Sequence, residues 1–310
     1  MVKHPNLIFI PSSPSPYKIL IRLIVCVLVG MIASVSLAMP AFYWIMSLFS
    51  NLSFNSFRSR LIIGQVFVSL GGFIFAPLIY WRYATKGKSP FFSNYKNLNI
   101  KNFVIVLSLM LVSMVINSWF IKWNADLKLP SWLSSFEAWA KQQEDARQQI
   151  IDIITNFNSL GSFLIGIVVI GIIPAFGEEI LFRGIIQNII CSIKKNMSFS
   201  IVITAFVFSA IHVQFYGFIP RFLLGILFGY IYWYTNNLIY PIFAHFVHNS
   251  LVVTMLFLKQ KSIVQYDINE NEAAPIPLTL LCCFIVVFLI HILKAKKNLL
   301  VSNESDHSRI

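Results

Sequence analysis

The sequence predicts an all-α polytopic membrane protein, a bundle of about eight transmembrane helices enclosing an intramembrane polar cavity. Three observations predict it. Of 310 residues, 57% are hydrophobic and 12% charged, whereas a soluble domain is about a quarter charged. The apolar residues fall in runs close to the about 20 needed to cross the hydrocarbon. The basic residues behind the net charge of +12 flank those runs, as expected of a chain oriented by positive charge and held against anionic headgroups. Membrane lipids are therefore expected partners. No nucleic-acid recognition motif accompanies the charge, so nucleic acid is not.

The predicted spans are 23–48, 61–81, 103–121, 153–176, 199–219, 222–234, 238–258 and 276–290. Lys3, Lys18 and Arg22 precede the first. Arg82, Lys86, Lys88, Lys96 and Lys101 separate the second from the third. Lys194 and Lys195 follow the fourth, and Lys294, Lys296 and Lys297 follow the last. If the spans alternate, all of these share one side. Glu137, Glu144, Asp145 and Asp152 before span four, and Asp267, Glu270 and Glu272 before span eight, share the other. Both termini are thus expected in the cytosol, with Arg58 and Arg60 as exceptions.

Residues 131–156, "SWLSSFEAWAKQQEDARQQIIDIITN", interleave Trp132, Leu133, Phe136 and Trp139 with charges. They read as an amphipathic helix at the outer interface, running into span four. The expected organisation is residues 1–152 as helices one to three plus this interfacial helix, 153–294 as a catalytic core with the last helix, and 295–310 as a cytosolic tail. Cys26, Cys191, Cys282 and Cys283 show neither metal-knuckle nor disulfide spacing.

Charges inside spans mark function. Here they occur in three short patterns: "EEILFR" at 178–183, "FSAIH" at 208–212 and "HFVHN" at 245–249. Neighbouring helical residues point about 100° apart, so Glu178 and Glu179 cannot serve one point. Arg183 stands four residues after Glu179, the favourable pairing distance. Glu178 is left over on its own face, and a lone carboxylate in a dry site suits a general base working near neutral pH. Glu178 lies sixteen residues before Lys194, and His212 seventeen after Lys195. In antiparallel helices both would sit about 25 Å from the same flank. His245 and Asn249 share a helix face one turn apart, and reach that depth if the hairpin before them turns inside the membrane. His248 reads as a structural neighbour, and Phe208 as packing that fixes the His212 rotamer.

A carboxylate with a histidine can deprotonate water, and a second histidine with an amide can donate to an oxyanion. The same Glu178, His212 and His245 could equally ligate zinc. No nucleophilic-serine elbow is present.

At these residues the sequence resembles the CPBP intramembrane proteases, the group of CAAX prenyl endopeptidases and of bacteriocin-processing and abortive-infection proteins. That family carries EExxxR, FxxxH and HxxxN in this order. The resemblance covers residues 160–258. It implies an eight-helix bundle with a cavity open to the cytosol, water activation by Glu178 and His212, an oxyanion held by His245 and Asn249, and support from Glu179 and Arg183. It favours a metal-free mechanism with no cofactor, zinc being the alternative. It implies a peptide or membrane-protein substrate and a bacterial cytoplasmic membrane. The sequence carries no prenyl-recognition feature. A non-catalytic immunity or scaffold protein and an ion-coupled transporter are the competing readings.

Overall fold

The computed structural model describes residues 15–48, 56–87, 98–264 and 273–307, with side chains to residue 298. Lys3, Lys88, Lys96, Asp267, Glu270 and Glu272 lie outside the described residues. Among the described residues the chain is helical, with no strand. The helices are α1 (Pro16–Ser47), α2 (Phe57–Ala84), α3 (Ile100–Ala125), α4 (Ser134–Ile154), α5 (Leu160–Lys194), α6 (Met197–Ala210), α7 (Phe218–Thr235), α8 (Ile239–Gln260) and α9 (Ile276–His307). Six of them, α1, α2, α3, α5, α8 and α9, are long and apolar enough to cross a membrane. The shorter α6 and α7 form an antiparallel pair inside the bundle, so eight helical segments fall where the sequence puts its spans. Outward side chains are apolar and exposed, among them Ile21, Leu37, Ile79 and Phe284. Lipid is their natural solvent.

The long helices are not regular. Ser34–Ala38, Ser69–Phe75 and Ile167–Ile172 are π-helical, and each ends next to a proline: Pro40, Pro77 and Pro174. Proline lacks the N–H for the usual i→i−4 bond and its ring crowds the preceding turn. A local widening relieves both without exposing backbone to lipid. A fourth π-helical stretch, Ile180–Ile186, has no proline. There the Asn188 side-chain amide donates to Arg183 O at 2.8 Å and Gly184 O at 3.1 Å. Glu178 and Glu179 sit between two such irregular stretches, at the end of the seven-residue regular stretch Ile173–Glu179 that separates them.

Two expectations are corrected. The interfacial helix does not run into the fourth span. The chain breaks at 156–159, and Ser159 starts α5 with a reciprocal capping box through Ser162. The Asn and Ser side chains of "NFNS" compete with helical hydrogen bonding and favour a turn. Gln260 of α8 fastens the break, donating to Thr155 O and accepting from Phe157 N–H. The fifth predicted span, α6, also ends earlier than expected, at Ala210 rather than near 219. Val213 turns left-handed at φ 53°, and Ser209 Oγ donates back to Phe218 O at 2.7 Å, pinning the loop 211–217 across the helix end.

The alternating helices collect the basic flanks at one end. Lys296 donates to Asn102 Oδ1, Lys297 to Trp233 O, and Tyr240 and Asn99 hydrogen-bond there as well. The hairpin joining α7 to α8 is tucked in at this end, with Asn237 and Leu238 buried. The opposite end carries α4 and the 211–217 loop. They are tied by Arg147 Nη2 to His212 O at 3.0 Å, Gln214 Nε2 to Glu144 Oε1 at 3.0 Å, and an edge-to-face contact of Phe136 with Phe215.

Candidate active site

Close helix packing sets the frame. Gly225 and Gly229, four apart on α7, face α6. A Cβ at Gly225 would come within 2.9 Å of the Ala205 side chain and 3.1 Å of its backbone, and one at Gly229 within 2.7 Å of Ile201. Such small-residue stripes let membrane helices approach closely. The carbonyls of the same two glycines receive hydrogen bonds from α5, Arg183 Nη2 to Gly225 O at 2.9 Å and Gln187 Nε2 to Gly229 O at 3.4 Å. This double contact fixes the register of α5 against the α6–α7 pair.

Arg183 and Glu179 are both 0% exposed and pair at 2.7 Å. The pairing is not the whole role of Glu179. Its Oε1 also meets His245 Nδ1 at 2.9 Å. The guanidinium lies over two rings, 4.7 Å from the centroid of Phe208 and 5.3 Å from that of Phe228. Those rings hold both histidines. Phe228 stacks on His245 at 5.1 Å and 22°, while Phe208 stands edge-to-face against His212 at 5.2 Å and against His245 at 6.0 Å. Phe208 therefore does more than set one rotamer. It spaces the two imidazoles.

Glu178, His212, His245 and Asn249 all line one cavity of about 780 Å³. Glu178 Oε2 is 4.0 Å from His245 Nε2, with its side chain 15% exposed. Glu179 and Arg183 are absent from the cavity wall, so the two adjacent glutamates face different surroundings. His212 is not inside a helix but in the turn just after α6. A carbonyl can only accept, so the 2.8 Å contact of its Nδ1 with Phe208 O puts the proton on Nδ1 and leaves Nε2 as a free base. Asn249 spends one of its two amide hydrogens on Ile170 O at 2.9 Å, within the π-helical stretch of α5. The second hydrogen remains.

A carboxylate oxygen can only accept, so in its 2.9 Å contact with Glu179 Oε1 the Nδ1 of His245 donates, and Nε2 is the ring atom that faces Glu178 at 4.0 Å.

The sequence reading gave no role to several lining groups. His248 lines the cavity with a buried Nδ1 that has no partner among the described residues, and Asn117, Glu144 and Arg221 line it too. Asn117, Glu144 and Arg221 lie outside the three motifs, and His248 occupies an unspecified position within the third. Among the described residues, no three His, Cys, Asp or Glu side chains group so as to hold a metal ion.

Comparison with known proteins agrees with this part of the chain. Residues 160–251 match the family model described as type II CAAX prenyl endopeptidase Rce1-like. Over 114 residues the chain is 29% identical to the Bacillus subtilis (strain 168) protein named "Putative membrane peptidase YdiL", a match covering 37% of this chain and 44% of that one. The chain thus spans less than half the length of that relative. No solved structure matches. Residues 160–251, which carry the three ordered motifs, are thus similar to the Rce1-like CAAX prenyl endopeptidases.

Proposed function

We propose that the chain is an intramembrane endopeptidase that hydrolyses a peptide bond of a peptide or membrane-protein substrate with glutamate-activated water. The observation that carries this is the Glu178 carboxylate, 4.0 Å from His245 Nε2, in a cavity that His212 and Asn249 also line. At 4.0 Å the two groups do not bond directly, yet both can act on one oxygen beside them. Water between Glu178 and the free Nε2 of His212 loses its proton to Glu178 and attacks the carbonyl carbon. The oxyanion takes hydrogen bonds from His245 Nε2–H and the second Asn249 N–H. Collapse breaks the C–N bond, and the proton passes from Glu178 to the departing nitrogen, leaving a carboxyl and an amine. Every step uses this chain's own side chains, and none is routed through a metal or cofactor.

Glu179 and Arg183 act one layer out. Glu179 orients His245 through Nδ1, and Arg183 pairs with Glu179 and holds it in place. The basic end of the bundle is read as cytosolic, in the cytoplasmic membrane of a bacterium, with both chain ends there.

Membrane proteomics of cells carrying wild type, Glu178→Ala or His212→Ala tests the reading. One precursor should persist in both mutants, its turnover slowed about 10²–10⁴-fold, the range of general-base catalysis, at equal protein level. Mutants that process every membrane protein as wild type does, while rescuing the deletion phenotype, would assign the chain a scaffold or immunity role instead. Uptake driven by a proton gradient in proteoliposomes would assign transport.

A further inference from the structure

Arg221 stands in the first turn of α7 and lines the same cavity as Glu178 and His245. Its Nη2 donates to Gln214 Oε1 at 2.7 Å, a neutral partner. Its Nη1 is buried and has no hydrogen-bond partner among the described residues. The two carboxylates of the cavity wall, Glu144 and Glu178, are both beyond ion-pair distance from it. Gln214 stands between Arg221 and Glu144, donating to Glu144 Oε1 while accepting from the arginine. The loop is shaped around the guanidinium, because a Cβ at Gly217 would lie 3.1 Å from Nη2. Within a membrane bundle a guanidinium held off its counter-ions is costly and marks function.

We infer that Arg221 is the subsite that receives a carboxylate of the peptide being cleaved and so sets the specificity of the enzyme. The inference rests on the peptidase reading above. Arg221, Leu224 and Phe228 lie at i, i+3 and i+7, share one face and all line the cavity, and Phe228 stacks on His245. Seven helical residues span about 10 Å, the reach of about three residues of extended chain. The carboxylate therefore sits about three residues from the scissile bond. It belongs either to the end of the peptide or to an Asp or Glu side chain.

The test is binding to the full-length, detergent-solubilised chain carrying Glu178→Gln, which keeps the probes intact. The probes are trileucine as free acid, trileucine amide, and N-acetyl-Leu-Asp-Leu amide. At least one carboxylate probe should bind about tenfold tighter than the neutral amide, the scale of one charge-assisted contact. A response to the free acid identifies a chain end, and a response to the Asp probe a side chain. Adding Arg221→Gln should bring the ratio near one, and Arg221→Lys should restore part of it, with melting temperatures showing that each variant is folded. Equal binding of acid and amide, a preference that survives Arg221→Gln, or no binding of any probe at millimolar concentration overturns the inference. Failure of the peptidase reading shows separately, as unchanged precursor turnover in Glu178→Ala, and leaves the binding ratios free to stand or fall by themselves.

Discussion

Glu178 and Glu179 are neighbours in sequence and opposites in circumstance. One lines a cavity, and the other is sealed between Arg183 and His245. Substitution should separate them. Glu178→Ala removes a group that makes no hydrogen bond among the described residues and stands 4.0 Å from His245 Nε2, so folding should persist while processing stops. Glu179→Ala leaves Arg183 as an unpaired charge in a fully buried position, a change that costs about 3–5 kcal/mol. Its melting temperature in detergent and its steady-state level should fall together. Adding Arg183→Met should recover part of that loss without recovering turnover, since His245 still lacks its Nδ1 partner. This division was legible in sequence from helical angles alone. The Glu179 contact with His245 was not, because it joins helices 66 residues apart and no spacing rule reaches that far. Arg221 was visible as a charge, but its missing counter-ion is a fact of three dimensions.

At the scale of elements, the site depends on how closely α7 approaches α6 and α5. Gly225→Val should be informative. The added methyls meet the Ala205 backbone and the Phe208 ring, and overpacking of this kind costs about 1–3 kcal/mol. Phe208 spaces His212 from His245, so turnover should drop further than the stability loss explains. Comparing melting temperature with the residual rate of precursor processing checks this. Hydropathy located all eight helical segments, because lipid imposes an apolar run on each. It failed at two ends, 155–159 and 211–217, where side-chain hydrogen bonds rather than hydropathy decide where helix stops. The π-helical stretches were hinted at by Pro40, Pro77 and Pro174, but the one holding Arg183 had no proline to announce it.

At the scale of the molecule, the cavity does not sit at the basic end. Its wall includes Ala125, Glu144, Gln148 and Tyr216, from the end capped by α4 and the 211–217 loop. The cytosolic opening implied by family resemblance and the cytosolic basic end implied by positive charge therefore point in opposite directions. The labelling below decides between them, with the charge pattern as the working guide to orientation. Twelve acidic residues serve the whole chain, and none stands among the lysines and arginines that flank α1, α2, α3 and α5 at that end. Single cysteines at Trp132 and Lys297, in a chain freed of its four native cysteines, should react oppositely with an impermeant thiol reagent on intact cells. Trp132→Cys should label from outside, and Lys297→Cys only after lysis. The reverse pattern would turn the bundle over and restore the cytosolic opening.

Were the labelling to give that orientation and the chain to act as proposed, the depth of the chamber would set when hydrolysis could occur. A polypeptide would reach Glu178 after most of its length had been exported, or while anchored with its cleavage point near the distal headgroups. Fragments released there would already be outside, so maturation and secretion would finish in a single event.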